Sequence, residues 1–359
     1  MNKKIVLIVG GYGIVGRQIA QILHERHPDL DIVLGGRSPE KAAPFDTLRA
    51  RTVVVDNLAE DPLLHAGDNI SLIINSVNDL QDRLLMSAVR RKIPLIDLTR
   101  WTELFQQSVA KLQKLELHAP VVLSSGWMAG TASLLAMLLT DGLQNITVDI
   151  HALYSLQDKA GPDSTAYMDR MNIPFHITEP EGRRLVFPMT NPVQVQFPDG
   201  YTAKCYRLDT PDHETLPKAN HIDSASFRIA FDNKAITSTL ALLVRSGIWK
   251  MISGDRFRSL RRSLLYNPGT GSAHQILIHL KGRDTYGNWV KRRIALTDPL
   301  GQTHLTALGA AIQAEKLLQI PEGEFLAPGI YYPEDLPDER MDTDAIMNFF
   351  KQYGVQISH

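Results

Sequence analysis

Lys3-Lys4-Ile5-Val6-Leu7-Ile8-Val9-Gly10-Gly11-Tyr12-Gly13-Ile14-Val15-Gly16 is the stretch that decides the fold of this chain. Ile5 to Val9 is an unbroken apolar run, the pattern of a parallel strand buried on both faces. It runs directly into Gly11, Gly13 and Gly16, spaced as G-x-G-x-x-G. Each glycine has a physical reason: a tight turn at Gly11, close approach of backbone to a pyrophosphate at Gly13, and strand-to-helix contact at Gly16. Val15, Ile19, Ile22 and Leu23 then recur as one buried helical face, so the phosphates would meet a helix N-terminus, where free N–H groups favour negative charge. Gly11, Tyr12, Gly13, Ile14, Val15 and Gly16 are the first cofactor-binding candidates.

The second informative position follows strand Asp31 to Leu34, at Gly35-Gly36-Arg37-Ser38. An acidic residue there would favour NAD through the adenosine ribose. Arg37 and Ser38 stand in its place, and a guanidinium suits a 2′-phosphate, so NADP is preferred over NAD. Ser38-Pro39-Glu40 also has the form of a helix N-cap, and both roles can hold together.

Outward from there, strands and helices alternate. Helix 39–48, strand 52–55, helix 58–65, strand 70–74, helix 82–91, strand 93–98, helix 102–118 and strand 120–123 predict a Rossmann-type doubly wound parallel sheet. Ligands of such sheets bind beyond the carboxyl ends of the strands, which selects Asp56 and Asn57 near adenine and Asn75, Ser76 and Val77 near the nicotinamide ribose. Asp97 and Ser125 fall nearest the reacting ring, with Thr99 and Gly126 at the same strand ends. From Thr147 the period changes to two, with Val148, Ile150, Ala152 and Tyr154 alternating against Asp149 and His151. This predicts a second α+β domain with a mainly antiparallel sheet. The expected division is 1–126 for the nucleotide domain, completed by a returning helix within 303–320, then 127–302 for the substrate and dimerisation domain, and a C-terminal segment, 321–359.

Composition narrows the function classes. The 359 residues are 44% hydrophobic and 21% charged with a formal net charge of −1, which provides no overall electrostatic footprint for nucleic acid. No apolar run reaches the ~20 residues of a membrane-spanning helix. Ala235 to Ile252 is apolar but broken by Arg245 and Lys250, as in a buried or dimer-facing helix, and Arg256, Arg258, Arg261 and Arg262 read as the solvated face of an amphipathic helix. Cys205 is the only cysteine and the 12 histidines show no metal spacing, so a cytoplasmic protein without a disulfide or bound metal is expected.

The order GGYGIVG, GGRSPEKA, SSGWMAGTASLLA at 124–136 and GIYYPE at 329–334 resembles the saccharopine dehydrogenase-like (saccharopine reductase) family. In the family's G-x-x-P-G stretch, Gly126 and Gly130 match and Ala129 replaces the proline. Arg37-Ser38 with Lys41-Ala42 is similar to its NADP-type motif. The resemblance implies an NADP-dependent oxidoreductase transferring hydride to or from an imine or amino-acid-like small molecule, and a homodimer. It also carries a departure: many members have a Ser-Tyr pair where this chain has Thr99-Arg100-Trp101.

For the chemistry, Asp97 is the first candidate for proton transfer or for steering an amine, with Thr99 and Arg100 beside it. Arg100 and Arg228 are candidate clamps for substrate carboxylates, and Trp127 and His274 are candidate substrate contacts. A nicotinamide-binding sensor or assembly protein without turnover is the competing expectation, permitted by the altered Thr99-Arg100-Trp101 stretch.

Overall fold

A computed structural model of the chain describes residues 3–41, 50–123, 128–159, 169–219, 222–257, 269, 271–320, 326–336 and 343–359. It divides into two compact units, Met1–Thr131 with His304–Leu336, and Ala132–Thr303 with Pro337–His359.

The first unit is built on β1 (Ile5–Val9), β2 (Asp31–Gly36), β3 (Arg51–Val54), β4 (Ile70–Asn75), β5 (Leu95–Asp97) and β6 (Pro120–Leu123). They pair in the order β3-β2-β1-β4-β5-β6, all parallel, with strand Gly329–Tyr331 added beside β6. This is the doubly wound order, in which the direction of winding reverses between β1 and β4 and leaves a crevice at their carboxyl ends. Leu7, Val9, Val33, Ile73, Leu95 and Val121 form its core with helix residues such as Leu84, Leu85 and Phe105. Helix α1 (Ile14–Arg26) buries Gly16, Ile19, Ala20, Ile22 and Leu23, the apolar face its spacing predicts.

Helix Gln302–Leu318 supplies much of this unit's remaining core, burying Leu305, Ala307, Leu308, Ala310, Ala311 and Ala314 completely. Small residues let backbone come close: Thr131 Oγ1 donates to Leu305 O at 2.9 Å and Gln313 Nε2 to Ala129 O at 2.6 Å. Met128, Ala129 and Gly130 are three successive left-handed residues (φ 56, 53 and 70). At Gly130 a Cβ would lie 2.1 Å from Pro333 Cγ, so glycine is required there by space as well as by backbone conformation.

Three predicted helices differ. Residues 58–65 form turns, because Asp56 Oδ1 accepts from Leu58 N–H (3.0 Å) and Asp61 Oδ1 from Leu63 N–H (3.2 Å), which gives those amides local partners. The helix predicted to reach residue 118 ends at Leu112, since Gln113 to Glu116 are all exposed and offer no face to bury. Of helix 39–48, Pro39–Lys41 is a short 3₁₀ turn and residues 42–49 lie outside the described residues.

The second unit contains β7 (Gln144–Tyr154), β8 (Phe175–Glu179), β9 (Gly182–Val186), β10 (Val193–Gln196), β11 (Thr202–Arg207), β12 (Ile222–Phe231), β13 (His274–Arg283) and β14 (Trp289–Asp298). Its main sheet runs β10-β11-β12-β7-β13-β14 and then strand Gln356–Ser358, antiparallel except for β12 with β7; β8 and β9 form a separate hairpin. Along β7, Val148, Ile150 and Ala152 face the core while Thr147, Asp149 and His151 take the opposite face. The stretch 235–252 is two helices, Lys234–Arg245 and Ile248–Met251, separated at Gly247 (φ 80); it buries Leu240 and Trp249 and exposes Leu242 and Met251. Arg256 and Phe257 end a short turn, and the rest of the Arg-rich stretch, 258–265, lies outside the described residues. Among the described residues no helix is long and apolar enough to cross a membrane.

A wholly buried arginine braces the carboxyl ends of β4 and β5. Arg100 donates from Nε and Nη2 to Asp97 Oδ2 (3.0 and 2.7 Å), and its Nη1 meets Asp82 Oδ1 and Ser108 Oγ. Asp79 Oδ2 lies 3.8 Å away, and its carboxylate accepts from the Arg83 and Leu85 amides (2.9 Å each) at the start of α2 (Arg83–Arg90). Lys111, on α3 (Thr102–Leu112), reaches Asp82 from outside. Burial raises the Asp79 carboxyl; at Asp82 burial acts in the same sense, but Arg100, Lys111 and Ser108 together outweigh it and hold the group below its usual range. Three carboxylates around one guanidinium leave heavily uncompensated charge if that cation is removed. Arg100→Leu is therefore expected to cost about 3–5 kcal/mol in urea unfolding, whereas Lys111→Ala, at the exposed end, is expected to cost under about 1 kcal/mol.

Candidate active site

The turn after β1 is built by contacts that only missing side chains allow. A Cβ on Gly11 would lie 2.7 Å from Ile8 O, and one on Gly16 2.3 Å from Gly10 O, so α1 starts directly against the turn. Gly10 and Gly11 both donate to Gly35 O (2.8 and 3.1 Å), joining the turn to β2. Gly13 stands at the N-cap of α1 with no capping side chain, there is no acidic residue in the first turn, and Gly13 and Ile14 are exposed. A helix start that is sterically open and free of negative charge suits a pyrophosphate.

Tyr12 has a role that motif spacing does not disclose. Its hydroxyl accepts from Ser38 N–H at 2.9 Å, and a Cβ on Gly36 would lie 2.2 Å from that oxygen. The ring thus lies over Gly36 and holds the loop that presents Arg37, with burial the main influence raising the phenol. Arg37 is exposed and makes no hydrogen bond or ion pair with a described residue.

Along the remaining strand ends, side chains are largely engaged with one another. Ser76 Oγ donates to Val9 O (2.8 Å), Asn75 Nδ2 to Asp97 Oδ2 (3.2 Å) and Asn57 Nδ2 to Asn78 O (3.2 Å). Val77 N–H donates to Asn75 Oδ1 (3.3 Å), while Thr99 Oγ1 lies 3.1 Å from both Val77 O and Asp97 Oδ1. Asp56, by contrast, is half-buried and makes a local turn. Asp97 and Arg100, expected to handle a proton and to clamp a carboxylate, have no exposed surface and pair with each other. Asp79, Asp82 and Ser108, which complete this network, are not singled out by sequence spacing, since Ser108 lies 8 residues from Arg100, Asp82 18 and Asp79 farther still. Ser125, Gly126 and Trp127 lie outside the described residues.

In the second unit, Arg228 is buried and binds Asp149 Oδ1 through Nη1 at 2.9 Å. His274 sits apart from it at the start of β13, wholly buried, edge-on to Tyr154 (centroids 5.0 Å apart), with neither ring nitrogen hydrogen-bonded. The nearest carboxylate, Asp158 Oδ2, is 3.8 Å from His274 Nδ1 and accepts from Gln302 N–H at 2.9 Å. Cys205 is buried and its thiol is pushed up to about 12, first by burial, so it does not act as a nucleophile.

Burial holds His274 down to about 3 and His151 down to about 4, and lifts Asp158 to about 6. Between about pH 4 and 6 the unfolded chain protonates both histidines while the folded chain does not, which removes stability as pH falls. Asp158 acts oppositely there, because only the folded state binds its proton. Two histidines against one aspartate leave a net loss toward acid. His274→Gln is therefore expected to make the fall in unfolding free energy across this window shallower by about 1.4 kcal/mol per pH unit, read from urea titrations at several pH values.

No family model matches the chain, and no curated protein matches it. Solved structures do. Saccharopine dehydrogenase (L-Glu forming) from Saccharomyces cerevisiae is 14% identical, with a TM-score of 0.63 over 99% of this chain and 100% of that one. Amine dehydrogenase from Mycobacterium smegmatis is 12% identical with a TM-score of 0.48, over 94% and 97% of the two chains. A mutant meso-dapdh from Clostridium tetani E88 is 12% identical with a TM-score of 0.47, over 98% and 99%. The first of these comparisons shows that the chain has the overall fold of a saccharopine dehydrogenase along its whole length, with a Rossmann-type parallel sheet and a second, mixed sheet that is mostly antiparallel.

Proposed function

We propose that this chain is an NADP-dependent oxidoreductase of the saccharopine dehydrogenase-like type, exchanging hydride with an imine or amino-acid-like small molecule. The reading is carried by the turn that joins Gly13, Tyr12 and Arg37: an uncapped, uncharged helix start beside a braced loop that presents one exposed guanidinium with no described protein partner. The residues fit the cofactor, because the exposed backbone of Gly13 at an uncapped helix start is where a dinucleotide's phosphates sit in this fold class. Bound NADPH would supply hydride from its nicotinamide ring, and NADP+ would accept it in the opposite direction. In this reading Gly11 to Gly16 receive the pyrophosphate, Arg37 and Ser38 the 2′-phosphate, Asp56 and Asn57 border the adenosine, and Asn75 to Val77 hold the crevice floor. Asp97, Thr99 and Arg100 set the position of that floor and do not touch the substrate. The family likeness also implies a homodimer, and the lone, buried cysteine suits a reducing cytoplasm.

The withdrawal of Asp97 and Arg100 into the interior favours a second reading, a nicotinamide-binding sensor or assembly protein without turnover, since neither group is left to handle a substrate proton. Cofactor preference tests what both readings share. In fluorescence titrations NADPH is expected to bind more tightly than NADH, and Arg37→Asp to weaken NADPH by about tenfold or more while leaving NADH affinity within a few-fold. Tighter NADH binding by the unaltered protein, or an unchanged NADPH preference in Arg37→Asp, contradicts the assignment.

A further inference from the structure

In the second unit, Arg207 on β11 and Arg228 on β12 are direct register partners, so their side chains project from the same face of the sheet. Both are more than nine-tenths buried, at 7% and 6% exposure. Two guanidiniums side by side and out of water need anions, and those present do not suffice. Arg228 uses Nη1 on Asp149 and Ser226, and its Nε has no hydrogen-bond partner. Arg207 is less satisfied still: its Nε has no partner, and its one ion pair among the described residues is with Glu179 Oε1, 3.7 Å from Nη2. That same Glu179 oxygen is held at 2.5 Å by Arg184. Burial, then Arg228 and Arg184, lower the Arg207 guanidinium, as befits a cation short of counter-charge.

Among the described residues the neighbouring groups add no further anion. His151, the register partner of Arg228 on β7, is kept neutral by burial at pH 7. His279 stands opposite Asp149 from β13, and burial lowers its ring as well. Among the described residues three arginines therefore share two carboxylates, a local excess of one positive charge. The unpartnered Nε atoms set the geometry of a fitting ligand, since the Nε edge of a guanidinium is the side that engages a carboxylate through two parallel hydrogen bonds.

We propose that Arg207 and Arg228 form a binding site for the carboxylate of a small organic acid. The site rests on the amino-acid-like substrate proposed above and names the group by which such a substrate would be held. Arg228 is kept in place by Asp149 and Ser226, and Arg207 provides the open fork. Cys205, buried on the same strand as Arg207 and under the influence of the Arg228 charge, packs there as an apolar side chain.

The test is calorimetric titration of the full chain with succinate and 2-oxoglutarate at ionic strength fixed with chloride, alongside an NADPH fluorescence titration of the same preparation. Saturable binding of at least one acid is expected, with no binding of succinamide. Arg207→Lys and Arg228→Lys, which keep the charge but lose the fork, are each expected to weaken the acid by about tenfold with NADPH affinity unchanged. Should one variant misfold by circular dichroism, the other decides. Failure of both acids to bind, succinamide binding equally well, or acid affinity unaltered in a folded variant overturns the site. If NADPH binds and neither acid does, this inference alone fails; if the acids bind and NADPH does not, the cofactor assignment fails and the carboxylate site stands.

Discussion

The absence of side chains at the β1–α1 turn is the constraint on which the rest of the first unit depends. Gly16 brings the first turn of α1 against Gly10 O, closer than any Cβ would allow, and Gly10 and Gly11 bond to Gly35 on the neighbouring strand. Tyr12 then crosses to Gly36 and Ser38. One close backbone approach thereby sets both the helix start that faces the crevice and the loop carrying Arg37. The phosphate and ribose ends of a dinucleotide would be read by parts of a single local assembly, so a change at Gly36 or Tyr12 bears on cofactor choice as directly as one at Arg37.

A second brace works through charge. Asp97, Asn75 and Thr99 tie the ends of β4 and β5 together, and Arg100 anchors that group to the start of α2 through Asp79 and Asp82 and to the middle of α3 through Ser108. Burying an ion cluster is costly unless every member is compensated, and here it is compensated by neighbours from four segments of the chain. The polar residues at this edge therefore hold shape and leave much of the crevice lining to backbone. In the Thr99-Arg100-Trp101 stretch the arginine is a buried cation paired with Asp97 and Asp82.

Much of the fold was legible from local pattern. The unbroken apolar run of β1, the G-x-G-x-x-G spacing and the switch to period two at Thr147 are each dictated by one segment and its own burial. The Pro62-containing turns after β3 were misread because Asp56 and Asp61 offer their amides side-chain partners that periodicity does not register. The buried network around Asp97 and Arg100 is not legible in the same way. Residues three apart could be seen as neighbours, but Asp79, Asp82 and Ser108 reach them only through the packing of two helices on the sheet. The pairing of Arg207 with Arg228 likewise depends on strand register across the gap between β11 and β12, which no short spacing encodes.

The central claim is that this crevice carries hydride chemistry on an amine-bearing substrate. The most direct measurement supplies the full chain with NADPH deuterated at nicotinamide C4, on each face in turn, together with oxo acids and amino acids, and follows label into product by mass spectrometry. Deuterium delivered from one face only, onto the carbon that becomes bonded to nitrogen, is the result the account predicts. NADPH bound tightly but never consumed, with no label in any product across the panel, would contradict it and leave a nicotinamide-binding protein without turnover.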